Sequence, residues 1–214
     1  MDKDWEKIYW EDKEAQHYDN RYRGFQRRMN NHRIRSVLLR MLRKTGGGTF
    51  PRRVVDAPAG TGRFSHELSQ LGIDMVHLDL SPKMLGVLRS KHGPGKEVVG
   101  NLYQPPLAFD ENAVVMSFRL MQHFDNPEER IHALKGFAKI APSALVAYYP
   151  GWHLKFFSRR LRHKLGLPHN KLREFISKKG IKEEVEAAGW ELKELRQCFP
   201  VFSENVLLHL KQPN

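Results

Sequence analysis

The chain has 214 residues, a formal charge of +12 and a mean hydropathy of −0.59, with 40% hydrophobic and 10% aromatic residues. These values suit one globular α/β domain with a sizeable core, and no apolar run of about 18 residues is available to cross a bilayer. The charged N-terminus lacks the apolar centre of a secretory leader, so a cytoplasmic protein is expected, and the single cysteine, Cys198, excludes an intramolecular disulfide and a cysteine-rich zinc site.

The charge is blocked. Residues 21–53 hold eleven Lys/Arg and no acid, and residues 151–180 hold nine against the single Glu174, whereas residues 54–150 hold nine basic and ten acidic side chains. Two basic segments flanking a neutral centre suit an anionic partner: nucleic acid, a phosphate-bearing substrate or an acidic membrane surface. No metal-ligand cluster stands out.

In "HRIRSVLLRMLRK", Ile34, Val37, Leu38, Met41 and Leu42 share one helical face with arginines elsewhere, which predicts a helix packed on a sheet. "TGGGTF" then reads as a flexible joint. From residue 53 onward, short apolar runs alternate with helical periodicity. "RVVDAPA" is a strand, "GRFSHELSQLG" a helix and "DMVHLDL" a second strand, after which Ser81 caps and Pro82 opens the helix "PKMLGVLRSK". "EVVGN" and "NAVVMSF" are strands three and four. "NPEERIHALKGFAKIA" is a helix with Asn126, Pro127 and Glu129 in a capping-box arrangement, and "ALVAYY" is strand five. This βαβ alternation predicts a doubly wound, mostly parallel sheet with helices on both faces. After the helix "IKEEVEAAG", the runs "WELKELRQCF" and "SENVLLHLK" are too close in sequence to pair other than as an antiparallel hairpin.

The stretch "VVDAPAGTGRF", residues 54–64, puts a glycine turn after strand one, where doubly wound sheets bind ligands. Gly60 and Gly62 allow close backbone approach, and the following helix aims its amides at the ligand. Asp79, at the end of strand two, is placed to accept from the ribose hydroxyls of an adenosine cofactor. Asp56, just before the turn, would repel a pyrophosphate but favours the ammonium and sulfonium of S-adenosylmethionine. Ser65 stands where the dinucleotide fingerprint has a third Gly or Ala, which also points away from nicotinamide and flavin cofactors.

With "VHLDLSPKML", "VVGNLYQPPLAF" and "AVVMSFRLMQHF", the glycine turn resembles the successive motifs of class I S-adenosylmethionine-dependent methyltransferases, from about residue 15 to the C-terminus. The resemblance implies a Rossmann-like, seven-stranded sheet with an antiparallel C-terminal hairpin and S-adenosyl-L-methionine as cofactor. It implies that the turn of Asp56, Ala57, Pro58, Ala59, Gly60 and Gly62, flanked by Arg63 and Phe118, wraps the methionine part. Asp79 would hold the ribose, Leu80 would line the adenine, and Asn101 with Leu102 would meet its edge. Pro58 replaces the usual first glycine, and Asn101 stands where Asp is commoner, turning a carboxylate contact into an amide one. Residues 1–50 resemble the helical lid of small-molecule methyltransferases, in which Tyr18 or Tyr22, and Arg23, would reach the methionine carboxylate; residues 51–214 would be the core, with a basic amphipathic insertion at about 151–180.

Methyl transfer to an already activated carbon depends mostly on positioning, and a base helps only when the acceptor loses a proton of high pKa. His123, just past strand four, is the candidate base or else a loop-bracing histidine. Arg119 pairs with an anionic acceptor or a local carboxylate such as Asp125. Tyr148, Tyr149 and Trp152, after strand five, wall an acceptor pocket or belong to the core. "YQPP", residues 103–106, follows strand three rather than strand four, and Cys198 lies in a late strand; neither suits base methylation. In "WHLKFFSRRLRHKLGL", Leu154, Phe157, Leu161 and Leu165 share one face, as in a substrate lid or a helix on anionic lipid at the inner face of a membrane. The expected activity is methylation, at oxygen, of a small-molecule or lipid- or sugar-linked acceptor. The alternatives are an RNA methyltransferase with a basic phosphate track and a non-catalytic cofactor-binding module anchored to a membrane or partner.

Overall fold

The computed structural model describes residues 25–150, 164–165, 176–198 and 206–213. Tyr18, Tyr22, Arg23, Trp152, the loop around Pro200 and nearly all of the basic insertion lie outside the described residues. In chain order the elements are α1 (Phe25–Thr45), β1 (Arg53–Asp56), α2 (Ser65–Gln70), β2 (Asp74–Asp79), α3 (Pro82–His92), β3 (Lys96–Val99), β4 (Ala113–Ser117), a 3-10 turn (Met121–His123), α4 (Pro127–Ala138), β5 (Ser143–Tyr148), α5 (Lys178–Ala187), β6 (Glu191–Gln197) and β7 (Val206–Lys211). They form one seven-stranded sheet in the order β3-β2-β1-β4-β5-β7-β6. Strands β1 to β5 pair in parallel, and β7 runs antiparallel to both β5 and β6. Strand order reverses between β1 and β4, which makes their carboxyl ends the switch point.

The central strands are apolar on both faces, as strands covered on both sides must be. Val55, Val115, Ala144, Val146 and Leu208 face α4 and α5 in one layer, with Phe137, Ile181 and Val185. Val54, Val114, Met116, Leu145 and Leu207 face the other layer, which α1 covers with Ile34, Leu38, Met41 and Leu42, each no more than 1% exposed. The periodicity read in α1 is thus the face that closes the core, and Arg33, Arg35, Arg40, Arg43 and Lys44 remain at the surface.

Among the described residues, three side-chain caps start helices. Ser81 Oγ accepts from the Met84 amide, Asn126 Oδ1 from the Glu129 amide at 2.9 Å, and Ser177 Oγ from the Gly180 amide at 3.0 Å. The glycine run corrects one expectation. Rather than a flexible joint, it is a hydrogen-bonded helix stop: Gly48 N donates to the Arg43 carbonyl at 2.8 Å, Gly46 N donates to Leu42, and Thr49 Oγ1 donates to Gly46 at 3.0 Å. Free carbonyls at the end of α1 need donors, and the turn supplies them. Among the described residues, no helix is long and apolar enough to cross a membrane.

Candidate active site

A cavity of about 420 Å³ opens at the switch point, bounded by the turn after β1 and the segments after β2, β3 and β4. The turn is anchored at both ends by the sheet: Ala57 N donates to the Met116 carbonyl and Ala59 N to Leu78, each at 2.9 Å. Gly60 and Gly62 have φ of 54° and 73°, a region that excludes most side chains. At Gly62 space is short as well, because a Cβ would stand 3.0 Å from Leu88 on α3. At Gly60 a Cβ would meet nothing within 4 Å.

Asp79 is the organiser of this region. It is 8% exposed; its Oδ2 accepts from Gly60 N at 2.7 Å and its Oδ1 from Ser81 N at 2.8 Å. Burial lifts its pKa above the usual carboxylate range, while the Ser81 and Gly60 amides pull it back down. The Leu80 amide is a third donor, which leaves about one of the carboxylate's four lone-pair directions, so the same group can hold the turn and accept from a ligand hydroxyl.

Asp56 sits deeper, 4% exposed. Its Oδ2 accepts from Ser65 Oγ at 3.3 Å, and the same hydroxyl lies 3.4 Å from His77 Nδ1. Burial lifts the Asp56 carboxyl well above its usual range; Ser65 opposes the shift and the neighbouring Asp79 carboxylate adds to it. His77, 5% exposed, is held below the ordinary imidazole pKa by burial. Asp56 and Asp79 bring two buried acids to one cavity, which favours a cation entering beside them. The donor set and the open space at Gly60 therefore fit a cationic amino-acid nucleoside.

Every other expected cofactor contact in the described residues also lines the cavity: Ala57, Pro58, Ala59, Arg63, Leu80, Asn101, Leu102 and Phe118. Leu80 is 37% exposed, an apolar side chain in the open. Phe118 packs its ring 4.9 Å from that of Phe64, and Arg63 bonds Asn31 of α1. Asn101 Oδ1 accepts from the Tyr103 amide at 2.9 Å in an Asx turn, so the residue also shapes the loop that lines the cavity.

Arg119 and His123 line the same cavity from the β4 side. Arg119 has φ of 63°, the only non-glycine residue with positive φ among those described, a conformation held by its surroundings and frequent at functional sites. Tyr149 is half-buried and is not among the lining residues. Tyr148 is fully buried, and its hydroxyl donates to Glu184 Oε2 at 3.1 Å; strand alternation turns it into the α4–α5 layer, away from the acceptor side. Burial pushes the Cys198 thiol up to about 12, which leaves it inert as a nucleophile.

The amino-acid pattern did not reveal the support behind these residues. Arg130 of α4, 1% exposed, forks onto Glu184 of α5 at 2.9–3.1 Å and donates from Nη1 to the Phe124 carbonyl at 3.1 Å, immediately after His123. Its signal was present: Arg130, Ala133, Leu134 and Phe137 share the buried helical stripe, where an arginine must be paired. The His77–Ser65 support left a weaker trace, in the serine that breaks the glycine fingerprint.

Comparison with known proteins agrees with this geometry. Residues 55–140 match the family model described as "Methyltransferase domain". The chain is 28% identical over 166 residues to magnesium-protoporphyrin O-methyltransferase of Rhodobacter capsulatus, covering 69% of this chain and 72% of that one. It is 27% identical over 142 residues to ubiquinone biosynthesis O-methyltransferase of Photorhabdus laumondii, spanning 62% of this chain and 53% of the relative. In fold it is similar to magnesium protoporphyrin IX methyltransferase of Synechocystis, crystallised with S-adenosylhomocysteine (TM-score 0.77, 17% identity, 99% of this chain and 100% of that one). It is also similar to a TehB-like methyltransferase of Corynebacterium glutamicum (TM-score 0.63, 16% identity, 95% and 100%). A seven-stranded sheet with an antiparallel C-terminal pair, an acid-flanked glycine turn at its switch point and these relatives place a methyltransferase domain at residues 55–140 within a class I S-adenosylmethionine-dependent methyltransferase fold, with S-adenosyl-L-methionine as methyl donor.

Proposed function

We propose that the enzyme methylates an oxygen of a small molecule, or of the head of a lipid- or sugar-linked one, that enters the cavity beside Arg119 and His123. One observation carries this reading: these two polar side chains share a 420 Å³ cavity with the glycine turn, Asp56 and Asp79. When bound, S-adenosylmethionine supplies a methyl carbon already activated by its sulfonium. The chain then has three tasks. The turn from Asp56 to Gly62, with Arg63 and Phe118 beside it, grips the methionine portion, and Asp79 takes the ribose hydroxyls. Leu80, Asn101 and Leu102 enclose the adenine. Tyr18 and Arg23, in the segment 1–50 proposed as a lid, reach the methionine carboxylate.

On the acceptor side, Arg119 orients an anionic group. A carboxylate acceptor needs only that orientation, because no proton has to move; a hydroxyl acceptor needs His123 to take its proton. The O-methyltransferase names of the relatives support oxygen as the methylated atom. Incubation of the enzyme and methyl-labelled donor with a metabolite extract tests the proposal: S-adenosylhomocysteine should accumulate and one oxygen-bearing metabolite should gain a methyl mass. S-adenosylhomocysteine absent from every extract, with cofactor binding intact, would favour a non-catalytic binding module.

One observation supports a peripheral contact. The outer face of α1 presents Arg33, Arg40, Arg43 and Lys44, and α1 contains no acid. Its apolar face is used up in the core, so the contact would be through charge, with anionic lipid at a membrane's inner face as the proposed surface and RNA as the competing one.

A further inference from the structure

The loop after β3 forms one wall of the cavity, through Gly100, Asn101, Leu102 and Tyr103. Its position is dictated by α4. A Cβ added at Gly136 would stand 2.2 Å from the Leu102 carbonyl oxygen and 3.1 Å from its carbon, so the loop backbone rests directly on the helix backbone. Two further contacts hold the loop to the same helical face. The His132 ring stacks on Tyr103 at 4.4 Å between centroids and 18° between planes, and Lys139 Nζ donates to the Tyr103 carbonyl at 2.7 Å. At the loop's other end, Gly100 N donates to the Asp79 carbonyl at 3.0 Å. The wall is therefore pinned between the ribose-side acid and α4. Glycine is a poor helix former, second only to proline, and its presence inside α4 conflicts with local preference. The seat for the Leu102 carbonyl resolves that conflict.

We propose that Gly136 is a positioning residue for the cofactor: it lets the Leu102–Tyr103 backbone settle onto α4, and so sets the depth of the purine side of the cavity, with His132 and Lys139 holding it there. This rests on the cofactor placement given above. Any side chain at position 136 must push the Leu102 carbonyl outward, because the obstructing atoms are backbone and cannot swing aside.

Calorimetric titration tests this with two ligands, S-adenosylhomocysteine and 5′-methylthioadenosine, which share the adenosine half but not the amino-acid half. Wild type failing to bind either ligand would remove the cofactor placement itself, before any variant is considered. With wild-type binding in hand, Gly136→Ala should weaken both ligands equally, by about tenfold, and should lower the melting temperature, because a 2.2 Å contact with backbone outweighs alanine's preference for helix. Lys139→Met, which removes a strut and adds no clash, should weaken both by about threefold. Wild-type affinity in Gly136→Ala or in Lys139→Met, or a loss confined to S-adenosylhomocysteine in either variant, would overturn the proposal. Should Gly136→Ala not fold, Lys139→Met and His132→Ala decide it, and unchanged affinity in both would overturn it.

Discussion

Asp79 ties Gly60 to the end of β2: one carboxylate oxygen accepts the Gly60 amide at 2.7 Å while the other accepts the Ser81 amide at 2.8 Å. The residue expected to hold the ribose thus also fixes the shape of the glycine turn and the start of α3. Asparagine cannot replace it conservatively, because its amide nitrogen would face a backbone N–H, donor against donor. Hydrogen bonds to a charged group contribute about 1.5–3 kcal/mol each. Asp79→Asn should therefore lose S-adenosylhomocysteine affinity nearly as fully as Asp79→Ala, by about 10- to 100-fold in calorimetry. An Asn variant that binds like wild type would mean that the carboxylate organises nothing.

The Arg130–Glu184 pair behaves differently, because neither residue lines the cavity. Both side chains are nearly enclosed, and the guanidinium also serves Phe124 while Tyr148 serves the carboxylate. Removing one partner strands a buried charge, at a cost of about 3–5 kcal/mol. Glu184→Ala and Arg130→Ala should each shift the urea midpoint sharply, whereas Arg130→Met combined with Glu184→Leu should recover part of the loss. Single and double variants equally destabilised would count against a stranded charge as the cause.

The parts legible in the sequence obey short-range rules. The succession of strands and helices in the parallel half, the caps Ser81 and Asn126, the α1 stripe and the acids at Asp56 and Asp79 follow from local pattern, and each lies where its pattern predicts. The rest depends on which distant residues meet. Nothing near Gly136 indicates that Leu102 will lie on it, and nothing near Asn101 shows that its oxygen will be spent on Tyr103. Tyr148 and Tyr149 were ambiguous because strand alternation needs a register, and the register comes from pairing Tyr148 with Val206 on a strand some sixty positions away.

Asp56 should trade stability for binding. Its folded pKa lies well above the unfolded value, so the native state holds a proton that the unfolded chain has released. Stability therefore falls as pH rises from the unfolded pKa through the folded one. His77 acts in the opposite sense: its depressed pKa costs stability as pH falls below the ordinary imidazole value. Asp56→Asn should raise the melting temperature of the ligand-free protein at pH 7, with each kcal/mol appearing as roughly 2–4 °C in a domain of this size, and should flatten the decline above pH 4. The same variant should weaken the cationic donor more than the neutral thioether product. A lower melting temperature at pH 7 would contradict the burial cost.

The cationic face of α1 predicts salt-sensitive flotation with anionic liposomes. Arg40→Glu with Arg43→Glu should abolish it while leaving S-adenosylhomocysteine affinity unchanged, since neither residue lines the cavity. Salt-steep RNA binding without flotation would instead favour the nucleic-acid surface.

His123 and Arg119 line the cavity from the segment after β4, whereas the Leu102 wall follows β3, so their loss should separate binding from transfer. His123→Ala should hold S-adenosylhomocysteine affinity within about twofold, because the ribose and turn contacts are untouched. For a hydroxyl acceptor, product formation should fall by about 10²–10⁴, the usual contribution of a general base. A carboxylate acceptor would leave His123→Ala nearly active and make Arg119→Ala the damaging change, through a raised KM. The acceptor's chemistry can thus be read from which variant fails, using the extract assay before the acceptor is purified. Equal, near-wild-type rates in both variants would exclude this wall as the acceptor side.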